Sequence, residues 1–168
     1  MKFLIVIDMQ NDFITGSLKN EEAKKIVPSV KEKINNFDGE VIFTLDTHSK
    51  NYLKTQEGKN LPVKHCIKNT WGWQICDELK PYVTTSITKP TFGSLKLPKL
   101  IKSYHKEIEE IQIVGICTDI CVISNAMILK ASFPEVEITV DSSLCAGVTK
   151  ESHNNALNAM KGTQIKII

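Results

Sequence analysis

Along the chain, short continuously apolar runs alternate with longer segments in which apolar residues recur every three or four positions. Short runs that are apolar or β-branched at every position predict strands, and longer segments with an apolar residue every three or four positions predict helices. The first run, residues 3–7, is apolar throughout, which is typical of a strand covered on both faces of a sheet. The first helical pattern covers residues 21–36, and Pro28 within it predicts a delayed start or a kink.

The same alternation continues to the end of the chain. Further strands are predicted over residues 41–45, 84–88, 111–116, 136–140 and 163–168, and further helices over residues 73–79, 95–105, 118–132 and 150–160. Residues 51–70 are polar without a clear period, so we expect a long connection that is functional or disordered. Strands that alternate with helices predict an α/β fold, in which a doubly wound, mainly parallel sheet is flanked by helices in three layers.

Length and charge limit the kind of protein further. The 168 residues contain no repeat or linker-like segment, so a single domain over residues 1–168 is expected. The net charge is only +2 and the lysines are scattered, which gives no indication of a nucleic-acid or membrane partner. No run reaches the roughly 18 apolar residues that cross a bilayer. Five cysteines without a secretory signal favour a reduced, cytoplasmic setting over a disulfide framework.

A polar or reactive residue follows each of the first five predicted strands. These residues are Asp8, Asp46, Lys89, Cys117 and Asp141. In an open parallel sheet the carboxyl ends of the strands lie along one edge, and ligands bind there at the point where the strand order reverses. The sequence therefore predicts that these side chains gather at one site. Taken singly, each of them is equally explained as a residue that caps the end of a strand.

The fourth strand leads into a candidate nucleophile. Thr118 is placed to cap the following helix, and Cys121 falls on its first turn, where the helix dipole favours a thiolate. Asp8 can accept the thiol proton, and Lys89 can hold both groups. The backbone N–H groups of Cys117 and Cys121 can form an oxyanion hole. The alternative is an ordinary core cysteine beside an Asp8–Lys89 salt bridge that closes the sheet edge.

A second group of residues has the composition of a metal site. Asp46 and His48 stand two positions apart at the end of a strand, so their side chains point the same way. His65 lies in the long connection that follows and can return over the site, and Glu57 is a candidate fourth ligand. One or two carboxylates with two imidazoles suit Zn²⁺, Fe²⁺ or Mn²⁺ with a position open for substrate. The alternative is a pair of ordinary loop histidines.

These motifs together resemble those of the cysteine hydrolases related to nicotinamidase and isochorismatase. The similarity is carried, in the family's order, by residues 7–13 (IDMQNDF), 46–48 (DTH), 61–66 (LPVKHC), 89–92 (KPTF) and 115–122 (GICTDICV). It implies a six-stranded parallel sheet and a catalytic triad of Asp8, Lys89 and Cys121. It also implies a cis peptide bond before Cys117.

The resemblance also implies a substrate pocket and a cofactor. Members similar to nicotinamidase hold a divalent metal, usually zinc, through residues that match Asp46, His48 and His65, with Glu57 as a fourth ligand in some. Phe13 matches an aromatic ring of the substrate pocket. Leu61 occupies a pocket position that is often aromatic in the family. Independently of the resemblance, Trp71, beside a glycine, is a candidate for the pocket wall, and a place in the core is the equal alternative.

The expected function is therefore a cysteine amidohydrolase that converts a small, nicotinamide-like carboxamide to its acid and ammonia through a thioester. Related reactions on the same fold are the first alternative, namely hydrolysis of isochorismate or of a carbamoyl compound. Many isochorismatases lack the nucleophilic cysteine or the metal residues, and this chain has both, which favours amide hydrolysis. A non-catalytic ligand-binding protein is the second alternative. By analogy with related proteins, a homo-oligomer is expected.

Overall fold

The computed structural model describes residues 1–168 and contains one sheet of six strands, all parallel. The strands are β1 (Lys2–Ile7), β2 (Glu40–Asp46), β3 (Thr85–Lys89), β4 (Glu110–Ile116), β5 (Glu137–Ala146) and β6 (Lys166–Ile167). They lie in the order β3-β2-β1-β4-β5-β6. The predicted α/β fold with a six-stranded parallel sheet is confirmed.

Helices cover both faces of the sheet, as the apolar pattern of the first strand predicts. The α-helices are α1 (Asn11–Ile14), α2 (Glu21–Asn35), α3 (Gln56–Asn60), α4 (Lys96–Lys102), α5 (Ile123–Ser132) and α6 (Lys150–Gly162). Along β1, Phe3 and Ile5 pack with α4, α5 and α6, whereas Leu4 and Val6 pack with α2. Pro28 lies inside α2, which nevertheless continues to Asn35. None of these helices has the length and apolar content needed to span a bilayer.

The strand order reverses between β1 and β4, and this reversal determines where a ligand can bind. β2 and β3 continue the sheet on one side of β1, while β4 to β6 continue it on the other. Gly115 on β4 pairs with Ile7 on β1 and has a φ of 114°. A Cβ at Gly115 would overlap the carbonyl oxygen of Ile7, so only glycine allows this approach. The carboxyl ends of β1 and β4, with Asp8 and Cys117, therefore lie side by side.

Two predicted elements are wrong, and long-range pairing explains both. The helix predicted over residues 73–79 is a series of turns, because Ile75 forms an antiparallel bridge with Gln10 and the Cys76 amide donates to the carbonyl of Met9. Strand β5 does not end at Asp141 but continues to Ala146. A register shift in its pairing with β4 accommodates the extra residues, so Asp141 is not at the carboxyl edge.

The predicted helix over residues 118–132 is divided into two parts. Residues Thr118–Val122 form a π-helical turn, and α5 begins only at Ile123. The amide of Val122 donates to the carbonyl of Cys117, five residues earlier. Thr118 makes no capping hydrogen bond, and its hydroxyl pairs instead with Nδ1 of His153 at 2.8 Å. The expected role of Thr118 as a helix cap is therefore wrong, and Cys121 lies within the π-helical turn.

Candidate active site

The three predicted catalytic side chains meet at the carboxyl edge of the sheet. Lys89 reaches from the end of β3 across the neighbouring strand, and its Nζ lies 2.6 Å from Oδ2 of Asp8 and 3.4 Å from Sγ of Cys121. The same Nζ donates to the carbonyl of Thr91 at 3.1 Å. Asp8 and Lys89 are fully buried and Cys121 almost so. The thiol, the carboxylate and the ammonium thus form one contiguous group.

The Asp8 carboxylate is held in one orientation by its own strand end and by β2. The residue has a φ of 48°, a conformation that is uncommon outside glycine and that aspartate tolerates better than most residues. The Thr44 hydroxyl donates to Oδ1 of Asp8 at 2.6 Å. Oδ2 is left to face Lys89. Thr44 is a site residue that the sequence analysis missed, because a threonine inside a buried strand carries no distinctive signal.

Burial controls the charges of this group. It raises the pKa of Asp8, although Lys89 offsets part of that increase. Burial favours a neutral Lys89, but the surrounding carboxylates of Asp8 and Asp46 outweigh it and raise the pKa of the ammonium. Burial and the Asp8 charge raise the pKa of the Cys121 thiol, against the opposing effect of Lys89. Burial therefore favours the neutral form of Cys121 and opposes the thiolate that the helix dipole was expected to favour.

The four predicted metal ligands form a second cluster beside the first. Nε2 of His48 lies 2.9 Å from Oδ2 of Asp46 and 3.4 Å from Oε1 of Glu57. Nε2 of His65 lies 3.4 Å and 3.6 Å from the same two oxygens. Four ligands at about 2.1 Å around a tetrahedral ion are about 3.4 Å apart. Glu57, in α3, is therefore as well placed as the other three residues.

Hydrogen bonds orient these ligands toward their common centre. Nδ1 of His65 bonds the carbonyl of Val63 at 2.8 Å, which leaves its Nε2 as the free acceptor that a metal needs. Nε2 of His48 is buried, and its close contact with Oδ2 of Asp46 lacks hydrogen-bond geometry, whereas buried polar groups normally have a partner. The residues therefore fit a divalent ion, and the cluster is a candidate site for one.

Two further residues that the sequence analysis did not single out support the cluster. The Gln10 side chain accepts from the amide of Asp46 at 2.8 Å and donates to its carbonyl at 2.9 Å, so it holds the end of β2. Tyr52 is fully buried, with its ring 4.6 Å and 4.9 Å from the rings of His48 and His65. Gln10 lies within the first family motif and could have been noticed, whereas Tyr52 lies in the unpatterned connection.

A cavity of about 740 Å³ opens over both clusters. Cys121, Asp46, Glu57 and His65 line it, together with the predicted pocket residues Phe13 and Leu61 and with Leu18, Phe92, Cys117, Ile120 and Val148. The third predicted pocket residue, Trp71, is wrong. It is 55% exposed and lines a separate surface depression with Lys24 and Lys31.

The predicted oxyanion hole lies at the start of the π-helical turn. Cys117 follows the last residue of β4 and lines the cavity. The peptide bond between Ile116 and Cys117 is cis, as expected. The backbone of Cys117 also accepts hydrogen bonds from the amides of Ile120 and Val122. That the N–H groups of Cys117 and Cys121 bind an oxyanion stays a prediction.

Comparison with known proteins adds independent information. Residues 2–168 match the model of the isochorismatase domain. The chain is 27% identical to a nicotinamidase from Saccharomyces cerevisiae, in an alignment that covers 76% of this chain and 80% of that enzyme.

Solved structures show the same similarity. A pyrazinamidase of Pyrococcus horikoshii, determined in complex with zinc, is 26% identical and superposes with a TM-score of 0.84 over 99% of this chain and 98% of that one. A nicotinamidase/pyrazinamidase of Bacillus subtilis is 25% identical, with a TM-score of 0.78 over 99% of this chain and 98% of that one.

Proposed function

Because this chain belongs to the isochorismatase family, we propose that it is a cysteine amidohydrolase that converts nicotinamide, or a closely related small carboxamide, to the acid and ammonia. The observation that carries the proposal is the contact of Lys89 with both Asp8 and Cys121 at the floor of a cavity. The candidate metal cluster that lines the same cavity is the second support. The contact of a buried thiol with an acid and a cation would be redundant in a protein that only binds a ligand.

The proposed reaction begins with the carboxamide bound in the cavity next to the Cys121 sulfur. The sulfur attacks the carbonyl carbon while Asp8 takes the thiol proton, since the neutral thiol is a weak nucleophile. Lys89 holds Asp8 in place and counterbalances the negative charge that develops on the sulfur. The carbonyl oxygen becomes an oxyanion, for which the N–H groups of Cys117 and Cys121 are the proposed donors.

The leaving group and the second half-reaction use the same acid and base. Asp8 returns the proton to the nitrogen, the carbon–nitrogen bond breaks, and ammonia leaves a thioester on Cys121. Water, deprotonated by Asp8, then attacks the thioester carbonyl, and the acid leaves as the Cys121 thiol regains its proton. The raised pKa of Asp8 suits both directions of proton transfer. A group whose pKa is closer to the working pH can both accept and return a proton.

The cavity wall and the metal cluster would select and orient the substrate. Phe13, Phe92 and Leu61 offer apolar surface on which a flat ring can lie. Asp46, His48, Glu57 and His65 would hold a divalent ion, and this mixed imidazole and carboxylate set suits zinc. When bound, such an ion supplies a Lewis-acidic position for a ring nitrogen or a water molecule.

The decisive experiment is ammonia release from the purified, metal-loaded protein with nicotinamide. We expect turnover, with the acid formed in equal amount. A panel of isochorismate and carbamoyl compounds in the same assay would identify a related reaction if nicotinamide gives none. Failure of Cys121 to react with iodoacetamide across the pH range, together with inactivity on the whole panel, would favour a ligand-binding role. Oligomeric state and cytoplasmic location stay expectations from the sequence.

We expect the purified protein to carry about one divalent ion per chain. His48→Ala removes a buried ligand, and losing one of four ligands weakens binding steeply. Inductively coupled plasma mass spectrometry after dialysis should therefore find little metal in that variant. His105→Ala is the matched control, because His105 is exposed and distant in sequence from the cluster. Equal metal content in the two variants would contradict the site.

A further inference from the structure

The π-helical turn that carries the nucleophile rests against the connection between β5 and α6. Thr118, the first residue of the turn, is fully buried, and its Oγ1 lies 2.8 Å from Nδ1 of His153. His153 is half-buried in the first turn of α6, which begins at Lys150. This is the hydrogen bond that replaces the expected helix cap. The proposed chemistry described above makes no use of it.

Two other contacts make the connection a rigid support. The amide of Val148 donates to Oδ1 of Asp119 at 3.0 Å, so a second residue of the turn is tied to the same segment. A Cβ at Gly147 would lie only 2.7 Å from Cβ of His153, which shows how closely the first turn of α6 packs against the connection. These contacts hold the first turn of α6, and with it His153, close to the π-helical turn.

We propose that His153 is a positioning residue, which holds Thr118 so that the Cys117 amide and the Cys121 thiol keep their places in the π-helical turn. The proposal rests on the proposed function, because it assigns His153 a share in that reaction without contact with substrate. His153 does not line the main cavity, so its effect must pass through Thr118.

The position of Thr118 explains why one hydrogen bond matters. Thr118 is joined by a single peptide bond to Cys117, whose amide is a proposed oxyanion donor. π-Helical turns are rare and occur frequently at functional sites. A shift of about 1 Å in a catalytic group can reduce a rate by about a hundredfold. Burial lowers the pKa of His153, and a neutral ring can pair with the Thr118 hydroxyl in either tautomer.

Three variants and one control separate positioning from general stability. Thr118→Val removes the hydroxyl with little change of shape, and His153→Leu removes the nitrogen. His153→Asn keeps a polar atom at the same bond position as Nδ1 and is the conservative variant. Ser152→Ala is the control, because Ser152 belongs to the capping box of α6 with Thr149 and does not touch Thr118. It weakens the same helix turn without breaking the Thr118–His153 pair.

We expect Thr118→Val and His153→Leu each to lower kcat with nicotinamide by roughly tenfold to a hundredfold with little change in KM, since the oxyanion donors act in the transition state. The double variant should be no worse than either single one. His153→Asn should recover part of the loss. Ser152→Ala should lower Tm but leave kcat unchanged. A fall in kcat for Ser152→Ala equal to that for His153→Leu would overturn the proposal.

Amide hydrogen exchange tests the same link without turnover. Peptides that cover residues 117–122 should exchange faster in Thr118→Val and His153→Leu than in the wild type, and no faster in Ser152→Ala. Unchanged exchange in the first two variants overturns the positioning role, whatever the activity. Faster exchange with unchanged kcat also overturns it. A wild type that releases no ammonia from nicotinamide instead contradicts the proposed function, and the exchange result still decides whether His153 holds the turn.

Discussion

Cys121→Ala should abolish turnover and leave the fold intact. The sulfur, 3.4 Å from the Lys89 ammonium, is the proposed nucleophile, and an alanine side chain has no atom that could form the thioester. Loss of the nucleophile in enzymes of this type costs roughly 10⁴-fold or more in kcat. Ammonia release under saturating nicotinamide measures the loss, and circular dichroism checks the fold.

Cys145→Ala is the control for this experiment. Cys145 is also a buried thiol, with only 5% exposure, but Asp8 and Lys89 do not surround it. Its replacement should lower stability modestly, as for any buried side chain that is shortened, and should leave kcat near the wild-type value. Turnover by Cys121→Ala at a similar rate to Cys145→Ala would rule out the thioester mechanism.

Asp8→Asn should lower kcat by about 10²- to 10⁴-fold, the usual contribution of a general acid and base. The amide has nearly the same shape but cannot accept the thiol proton. Lys89 also loses its carboxylate partner at 2.6 Å and keeps Asp46, at 3.5 Å, as its remaining carboxylate, so the free energy of unfolding should fall as well. Asp38→Asn, which removes the same charge at an exposed position, should change neither quantity. Equal kcat values for the two variants would exclude Asp8 as the base.

The pH dependence of the wild type provides a second test of Asp8. Attack requires the ionised carboxylate, and burial raises the pKa of Asp8 above that of an exposed aspartate. Activity should therefore disappear, as the pH falls, at a higher pH than an exposed aspartate would give. The residual activity of Asp8→Asn should lack this acidic limb, because no proton is taken up at position 8.

Much of the fold follows from local patterns in the chain. Residues 3–7 and 21–36 have the apolar periods of a buried strand and an amphipathic helix, and both elements form within one or two residues of their predicted bounds. The family resemblance, drawn from motifs near the strand ends, is confirmed by the match over residues 2–168. Local periods predict local elements well, because the side chains of one face must be apolar wherever that face is buried.

The wrong predictions about secondary structure and helix capping concern residues whose partners are distant in the chain. The turns at residues 73–79 depend on Gln10 and Met9, and the length of β5 depends on its pairing with β4. Thr118 is a good capping residue by type, yet it pairs with His153, which follows it by 35 residues. The raised pKa of the Cys121 thiol also arises from segments distant in the chain, because burial and the charge of Asp8 cause it.

The amino-acid sequence by itself determined the α/β class, the strand ends at which chemistry can occur, and the residue types available there. These properties depend on the local order of apolar and polar side chains. Only the tertiary structure decided that Lys89 reaches both Asp8 and Cys121, that Glu57 joins the three other metal-ligand candidates, and that Trp71 faces away from the cavity. Distances and burial arise from the packing of segments that are far apart in the chain, and they set both the proton affinities and the shape of the site.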